Sequence, residues 1–251
     1  MYNLRGKEMR YIISDIHGCY EEYKELLKKI SFSQEDQLFV LGDVVDRGPD
    51  PMKVLQDMMG RMNVEFLLGN HDFMFYSLMK KFAVEITEET AQDNYFSSDD
   101  MLAYNSWIWD GGYPTAEAFK KLSREEQEDI LDYISDAMIY EIVEQDGKEY
   151  ILVHAGLGNF SPDKDLEDYN LDELLESRMD YSKSYFADDK ILVTGHTPTL
   201  AIQGWEKPEV FIENHHIALD CGCVHGGNLA AYCIETGEVT YVKSKKTITI
   251  K

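Results

Sequence analysis

The residues that could carry chemistry are concentrated in the stretch 41–48, LGDVVDRG. The apolar run 38–41 predicts a buried strand, so the polar side chains stand where that strand ends. The carboxyl end of a parallel strand holds side chains rigidly beside an open crevice. There Asp43 can ligate a divalent cation, Asp46 can orient a neighbouring group, and Arg47 can pair with phosphate oxygens. The stretch favours a site for metal ions and an anion; the alternative is an Asp-rich turn that caps a helix.

Four further apolar runs end in residues of the same kind. Asp15 and His17 follow 11–13, Asn70 and His71 follow 64–68, His154 follows 150–153, and His196 follows 191–193. A single His or Asp at the end of a strand is usually structural. Independent placement after this many predicted strands indicates that the side chains meet in one site, because parallel strands bring their carboxyl ends to the same edge of a sheet.

Taken in order, the motifs D-x-H-G, G-D-x-x-D-R-G, G-N-H-D, H-A-G and G-H-T resemble those of the phosphoprotein phosphatase (PPP) metallophosphoesterases. The resemblance extends from about Tyr11 to about Tyr232. The bacterial and phage-lambda-type serine/threonine protein phosphatases and the symmetrical diadenosine tetraphosphatases look the most similar. The resemblance implies a four-layer α/β (α+β) fold with two mixed β-sheets, sandwiched together and flanked by helices.

The same resemblance implies two divalent metal ions bridged by Asp43. The expected ligands are Asp15, His17 and Asp43 for the first ion, and Asp43, Asn70, His154 and His196 for the second. Manganese is the favoured ion, with iron or zinc as alternatives, because mixed carboxylate, amide and imidazole sites accept several metals. Such a centre would activate a hydroxide that attacks phosphorus.

The resemblance also assigns the acid chemistry and the phosphate contacts. His71 is expected to protonate the leaving oxygen, and Asp46 to fix the tautomer of its ring. The residues expected to bind substrate phosphate are Arg47, Arg178 and Asn70. Arg178 departs from the Trp-Ser-Arg pattern of related sequences because Glu176 stands at the Trp position. An ordinary surface arginine is therefore the alternative for Arg178.

Composition limits the classes of partner. The chain has 251 residues, and 24 basic against 47 acidic residues give a net charge of −23. Nonspecific binding to nucleic acid or to an anionic membrane needs a basic surface, so neither partner is expected. A phosphorylated protein or a small phosphorylated molecule would have to be attracted by a local positive site. Oligomeric state is left open.

The predicted location is the cytoplasm. No stretch approaches the roughly 20 apolar residues of a membrane-spanning helix. The first ten residues are polar and lack the apolar segment of a signal peptide. The cysteines Cys19, Cys221, Cys223 and Cys233 show no spacing typical of secreted disulfides. Ordinary reduced thiols are favoured over a zinc site at the pair Cys221 and Cys223.

The pattern predicts one domain over 1–251 with a helical, cap-like insertion at about 73–140. The segments before the insertion read β-α-β-α-β. Inside it, the acidic run 85–100 is interpreted as solvated surface, and the stretch 107–115, WIWDGGYPT, as part of a cap over the active site. The turn signal 235–238 predicts a hairpin that supplies an antiparallel pair to a second sheet.

The favoured function is a serine/threonine protein phosphatase, extending to phosphotyrosine. The alternative is a symmetrical bis(5'-nucleosyl)-tetraphosphatase, and a metal-binding scaffold without catalysis is a third, weaker hypothesis. A polyphosphate pocket would need extra basic residues; the candidates are Lys164, Lys183 and Lys190, each among acids. This favours phosphomonoesters. His225 is interpreted as a loop residue, with a place in the pocket as the alternative.

Overall fold

The structure, a computed structural model, describes residues 8–82, 97–187 and 189–246. The strands are β1 Arg10–Ile13, β2 Gln37–Leu41, β3 Val64–Leu67, β4 Tyr140–Gln145, β5 Lys148–Val153, β6 Lys190–Thr194, β7 Phe211–Glu213, β8 His216–Ala218, β9 Asn228–Cys233 and β10 Val239–Lys243. The α-helices are α1 Tyr20–Lys29, α2 Pro51–Met59, α3 Asn70–Phe82, α4 Ser98–Trp107, α5 Tyr113–Phe119, α6 Arg124–Ser135 and α7 Leu171–Leu175. A kinked π-helical turn, Ile108–Gly112, joins α4 to α5.

Two five-stranded mixed sheets form the centre of the fold. The first has the strand order β10-β9-β1-β2-β3, and the second has the order β4-β5-β6-β8-β7. In the first sheet β1, β2 and β3 are parallel, and in the second sheet β5, β6 and β8 are parallel. The parallel strands therefore present their carboxyl ends together in each sheet, where functional loops collect.

Alternation along the strands explains why the sheets pack face to face. In β1, Ile12 joins the apolar cluster between the sheets, while Ile13 joins the cluster beneath the helices. In β2, Phe39 and Leu41 face the second sheet, and Val40 faces the helices. Because successive side chains point to opposite faces, a strand buried on both sides reads as a continuous apolar run.

The outer layers differ in character. Helices α1 and α2 cover the first sheet, and Tyr23, Leu26, Val54 and Leu55 reach its core. The outer face of the second sheet is covered mostly by loops and the short helix α7, through Leu174, Met179 and Tyr181. Two central sheets between these outer layers match the predicted four-layer fold, which is confirmed.

Between β3 and β4 the described residues are mainly helical. Helix α3 packs against α4 and α6, and α5 packs against α2. Most of the predicted acidic run 85–100 lies outside the described residues. Helices α4 and α6 each begin with a capping box, at Ser97 and at Ser123, which satisfies free backbone N–H groups at the helix start.

The predicted place of the hairpin needs correction. The hairpin at 235–238 does form, but β9 and β10 extend the first sheet, because β9 pairs antiparallel with β1. The second sheet instead takes its antiparallel edges from β4 and β7, which the sequence pattern does not predict. Among the described residues, no helix combines the length and apolar character needed to cross a membrane.

Candidate metal centre

The predicted site residues meet where strands of both sheets end. The loops after β1 and β2 are tied together by backbone hydrogen bonds: His17 N–H donates to Asp43 O at 2.8 Å, and Gly18 N–H donates to Val44 O at 2.8 Å. Across the second sheet, Gly195 N–H donates to His154 O at 2.8 Å. These bonds fix the loops independently of their side chains, so the ligating groups project from a rigid edge.

Several of the loop residues have a left-handed backbone. Positive φ angles occur at Asp15 (50°), His17 (44°), Asp43 (52°), Asp46 (69°), Arg47 (65°) and His196 (60°). For a non-glycine residue this conformation costs roughly 1–2 kcal/mol, and such strain clusters at functional sites. Gly69 lies against this turn, since a Cβ there would stand 2.2 Å from Asp43 N.

Two histidines are oriented by the main chain. His17 Nδ1 donates to Val45 O at 2.7 Å, and His154 Nδ1 donates to Leu41 O at 2.7 Å. Each ring therefore turns Nε2 toward Asp43, at 3.5 Å from Oδ2 for His17 and 3.4 Å from Oδ1 for His154. A metal-ligating histidine characteristically donates its other ring N–H in this way.

Asn70 and His196 complete the second group. Asn70 Oδ1 lies 3.0 Å from His154 Nε2 and 3.0 Å from His196 Nδ1. His154 donates its Nδ1–H to Leu41 O, so the neutral ring carries a lone pair on Nε2. This lone pair faces the oxygen acceptors of Asn70 and Asp43. Such a convergence of acceptor atoms suits a cation.

These residues fit the divalent ions that the predicted centre requires. Ligand atoms of Asp43, His154 and His196 lie within 4.8 Å of one another, as do those of His17, Asp43 and His71. Burial lowers the pKa of His17 and of His196 to about 3, so both imidazoles are neutral and can ligate. The two oxygens of Asp43 face different histidines, which is the arrangement of a bridging carboxylate.

Asp15 is buried beside the predicted ligands, next to Asp43. Its carboxylate accepts from the backbone N–H of His196, at 3.0 and 3.2 Å, and the first convergent group contains His71 instead. Burial and the nearby carboxylates of Asp220 and Asp43 raise the pKa of Asp15 well above its usual range. Asp15 therefore adds to a buried concentration of acidic groups beside the convergent ligands.

His71 and Asp46 form a tight pair. His71 Nδ1 donates to Asp46 Oδ2 at 2.7 Å, and both side chains are buried. Burial alone would lower the pKa of His71, but the charges of Asp43 and Asp46 raise it above the ordinary value. A histidine with a raised pKa and an oriented ring can hold and donate a proton.

Arg47 spans the mouth of the site. Its Nη1 donates to His17 Nε2 at 2.7 Å, and its Nη2 donates to His71 Nε2 at 2.6 Å. Asp110 approaches from the π-helical turn, 3.5 Å from Arg47 Nη2 and 3.6 Å from His71 Nε2. The Asp110 side chain is 57% exposed. It brings a negative charge beside Arg47 and His71 that the motifs do not predict.

Arg178 lies within electrostatic range of His196. It is exposed, and its charge contributes to lowering the pKa of His196. It lines a groove of about 500 Å³ together with Phe160 and Tyr185. The structure therefore places Arg178 close enough to the centre to affect its electrostatics.

The three candidate lysines for a polyphosphate pocket are each engaged by an acid. Lys164 pairs with Glu173, Lys183 with Asp180 and Lys190 with Glu149, at 2.8, 2.7 and 2.8 Å. A further cation, Lys246, stands near Arg47 instead. Lys246 Nζ donates to Arg47 O at 3.5 Å, and the charges of Arg47 and Lys246 add to burial in lowering the pKa of His225.

Other supporting residues escape motif reasoning. The carboxylate of Asp72 accepts from the backbone N–H groups of Val44 (3.0 Å), Val45 (3.1 Å) and Gly69 (3.2 Å), and so joins the loops after β2 and β3. Burial and the charge of Asp43 raise its pKa to about 7. Its place as the last residue of the G-N-H-D motif was a signal, but only the fold shows which amides it binds.

A family model for calcineurin-like phosphoesterases matches residues 10–242. The match covers most of the chain and includes every predicted ligand. This chain belongs to the calcineurin-like phosphoesterase family, as the motifs predict.

Three similar proteins illustrate the relationship. A symmetrical bis(5'-nucleosyl)-tetraphosphatase of Buchnera aphidicola is 42% identical over 103 residues, covering 39% of this chain and 36% of the relative. An asymmetrical bis(5'-nucleosyl)-tetraphosphatase of Oceanobacillus iheyensis is 28% identical over 263 residues, covering 94% of this chain and 92% of the relative. A solved structure of a candidate diadenosine tetraphosphatase superposes with a TM-score of 0.63 at 22% identity, covering 96% and 95% of the two chains.

The extent of these matches differs. This chain spans 36% of the length of the Buchnera relative, whereas its match to the Oceanobacillus relative is nearly complete. At 22% identity the solved structure establishes likeness of fold alone.

Proposed function

We propose that this protein hydrolyses dinucleoside tetraphosphates. The observation that carries the proposal is a second cation at the mouth of the site, Lys246, which lies against the backbone of Arg47 and extends its positive charge. One phosphomonoester needs few cations, whereas a chain of four phosphates presents charge over a longer distance. The names of the Buchnera and Oceanobacillus relatives support the same class of substrate.

The residues of the site have distinct parts in the proposed reaction. His17, Asp43, Asn70, His154 and His196, called the cradle below, would hold the divalent ions, with Asp15 beside them. When bound, such ions neutralise phosphoryl charge and supply a nucleophile near neutral pH. Arg47 and Arg178 would orient the phosphates, Arg47 through its two Nη groups.

His71 would act as the general acid. Nε2 would be protonated once Arg47 Nη2 has turned from it to the substrate phosphate. When the bond from phosphorus to the leaving oxygen breaks, the electron pair stays on that oxygen, which takes the proton from His71 Nε2. Asp46 keeps Nδ1–H engaged, so the ring presents Nε2 to the substrate. Solvent then restores the proton to His71.

The groove beside Arg178 would accept a nucleoside. Its volume of about 500 Å³ suits one base and its sugar, and Phe160 and Tyr185 offer aromatic faces for stacking. Base–aromatic stacking contributes roughly 1–3 kcal/mol. This position would place the first phosphate of the nucleotide at Arg178.

The test is a comparison of substrates on protein reconstituted with manganese. Diadenosine tetraphosphate should turn over faster than phosphoserine, phosphothreonine and phosphotyrosine peptides. Chromatography of the products distinguishes symmetrical cleavage to two ADP from asymmetrical cleavage to ATP and AMP. Faster turnover of the peptides would overturn the proposal.

A charge variant sharpens this comparison. Lys246→Met should raise KM for diadenosine tetraphosphate several-fold and leave KM for p-nitrophenyl phosphate unchanged, because only the longer substrate reaches Lys246. Lys183→Met is the matched control, since Lys183 is an exposed lysine paired with Asp180. Equal effects of the two variants would remove the support that Lys246 gives to the proposal.

The second candidate is the serine/threonine protein phosphatase, extending to phosphotyrosine, that the motifs favour. The observation in its favour is Asp110, whose carboxylate lies 3.5 Å from Arg47 Nη2. A negative charge there penalises a polyphosphate more than a phosphomonoester, which carries less charge. The substrate comparison above separates the two candidates.

A further inference from the structure

The carboxylate of Asp46 is more fully engaged than its pairing with His71 requires. It is fully buried, and besides His71 it accepts from Trp107 Nε1 at 2.8 Å on Oδ2 and from Thr115 Oγ1 at 2.6 Å on Oδ1. Thr115 Oγ1 also accepts from the backbone N–H of Asp46 at 2.8 Å. Both oxygens and the main chain of Asp46 are therefore fixed.

The additional partners come from far along the chain. Trp107 ends α4 and Thr115 lies in α5, whereas Asp46 follows β2 and His71 lies in the first turn of α3. An isolated buried carboxylate is costly unless hydrogen bonds satisfy it. The helices between β3 and β4 thus supply bonds that satisfy both oxygens of the buried Asp46 carboxylate beside His71.

The π-helical turn adds a backbone contact to the same region. Arg47 N–H donates to Gly111 O at 2.8 Å. Gly111 has φ of +108°, and a Cβ there would stand 2.6 Å from Arg47 Cγ. At Gly112 a Cβ would stand 2.3 Å from the Trp107 ring. The two glycines let this turn approach the 41–48 loop closely enough for Trp107 and Thr115 to reach Asp46.

We propose that Trp107 and Thr115 are positioning residues for proton donation. They hold the Asp46 carboxylate in the orientation that keeps His71 Nε2 facing the leaving oxygen. This inference rests on the proposed role of His71 as the general acid. Trp107 Nε1 and Thr115 Oγ1 donate to Asp46, which is not one of the predicted ligands, so their role concerns the proton and leaves the ions to other residues.

The experiment measures leaving-group dependence on manganese-loaded protein. Hydrolysis of phenyl phosphate needs protonation of the leaving oxygen. From 2,4-dinitrophenyl phosphate the dinitrophenolate leaves without protonation. Thr115→Val removes the hydroxyl at nearly constant shape, Thr115→Ser restores it, and Trp107→Phe removes the indole N–H. Metal content and thermal unfolding are recorded for each variant.

We expect Thr115→Val to lower kcat on phenyl phosphate about 10- to 100-fold, a part of the roughly 10²–10⁴-fold that a general acid contributes. KM and the rate on 2,4-dinitrophenyl phosphate should change little. Thr115→Ser should recover most of the loss, and Trp107→Phe should show the same selective loss.

Two controls separate positioning from general damage. Thr199→Val removes another buried hydroxyl, which donates to Lys207 O at 2.8 Å. Phe119→Leu disturbs Phe75, the ring that Trp107 also contacts, without touching Asp46. Neither control should make the rate depend more steeply on the leaving group.

Two results would overturn the inference. The first is an equal loss on both esters, or no loss, in Thr115→Val. The second is a steeper leaving-group dependence in the controls as well. His71→Asn in the same series identifies which proposal fails. If His71→Asn lowers the rate equally on both esters, the proposed acid role fails. If it lowers the rate selectively on phenyl phosphate while Thr115→Val does not, only the positioning role fails.

Discussion

The metal cradle and the acid pair lie side by side but are held in different ways. The cradle stands on strand ends of both sheets, and short backbone bonds such as His17 N–H to Asp43 O, at 2.8 Å, fix its loops. The acid pair is held through side chains, and two of the donors on Asp46 come from α4 and α5. One region is supported by the central sheets, and the other by helices outside them.

From this difference we expect that some substitutions remove proton donation by His71 without removing the bound metal ions. A change in the helices between β3 and β4 should loosen Asp46 while the cradle still converges. A substitution in the cradle should abolish both metal binding and turnover, because proton donation by His71 has no reaction to assist without the ions.

The largest effect is expected for Asp43→Asn. The substitution removes the charge from the carboxylate that faces both His17 and His154. Even the outer partners of metal ligands cost about 10- to 100-fold, so activity should fall by more than about 100-fold and bound manganese should be lost. Metal analysis after gel filtration and turnover of p-nitrophenyl phosphate measure the two losses.

The control for Asp43→Asn is Asp57→Asn, which affects a carboxylate paired with Lys24 and Arg61 on the helix surface. It should retain both manganese and turnover. Full manganese content in Asp43→Asn would contradict the bridging role.

The next effect in size is expected for His71→Asn. Manganese should stay bound, while turnover of esters with poor leaving groups should fall roughly 10²–10⁴-fold. Metal content and kcat are measured on the same preparation. Loss of manganese together with activity would mean that His71 belongs to the cradle, in agreement with its place in the first convergent group.

A smaller effect is expected for Gly111→Ala, which tests the contact between the helices and the 41–48 loop. The new Cβ would press on Arg47 Cγ, so the Arg47 side chain should shift. KM should then rise and kcat should fall, each by less than about 10-fold, because one surface contact of Arg47 is lost. Manganese content should not change.

Gly147→Ala is the matched control for Gly111→Ala. Gly147 also has a positive φ, of +76°, but an added Cβ there meets nothing within 4 Å. Both variants carry a similar backbone strain of roughly 1 kcal/mol, so a difference in kinetics between them reports the contact with Arg47. Identical kinetics would show that this contact is unimportant.

The smallest effect is expected for Asp110→Asn. Removing an exposed charge 3.5 Å from Arg47 should lower KM for an anionic substrate. An exposed pair is worth about 0–1 kcal/mol, so the change should not exceed about 5-fold. The fall should shrink at high salt, because exposed charges are screened. A rise in KM would indicate that Asp110 contacts the substrate directly.

The sequence predicted the cradle better than its surroundings, and the reason is physical. Asp43, Asn70, His154 and His196 each follow an apolar run, and local pattern plus the rule for parallel strands is enough to bring them together. Asp15 also arrives at the site, but the direction of its carboxylate depends on the backbone N–H of His196. No local pattern contains that contact.

What the sequence did not predict depends on long-range contacts. Lys246 reaches Arg47 O across 199 positions of the chain, and Thr115 reaches Asp46 across 69. The pairing of β9 with β1 places the hairpin in the first sheet for the same reason. Turn signals specify a hairpin, but the sheet that it joins is decided by which strand edge lies open.

The pairing of β1 with β9 also has a consequence for folding during synthesis. Ile12 lies opposite Tyr232, so the first sheet cannot be completed until the ribosome has made β9 and β10. Contacts of such wide sequence separation slow folding. Residues of the cradle that emerge early, such as Asp43, must therefore wait for His154 and His196. A nascent chain accordingly presents only a partial set of the predicted ligands until residue 196 has been made.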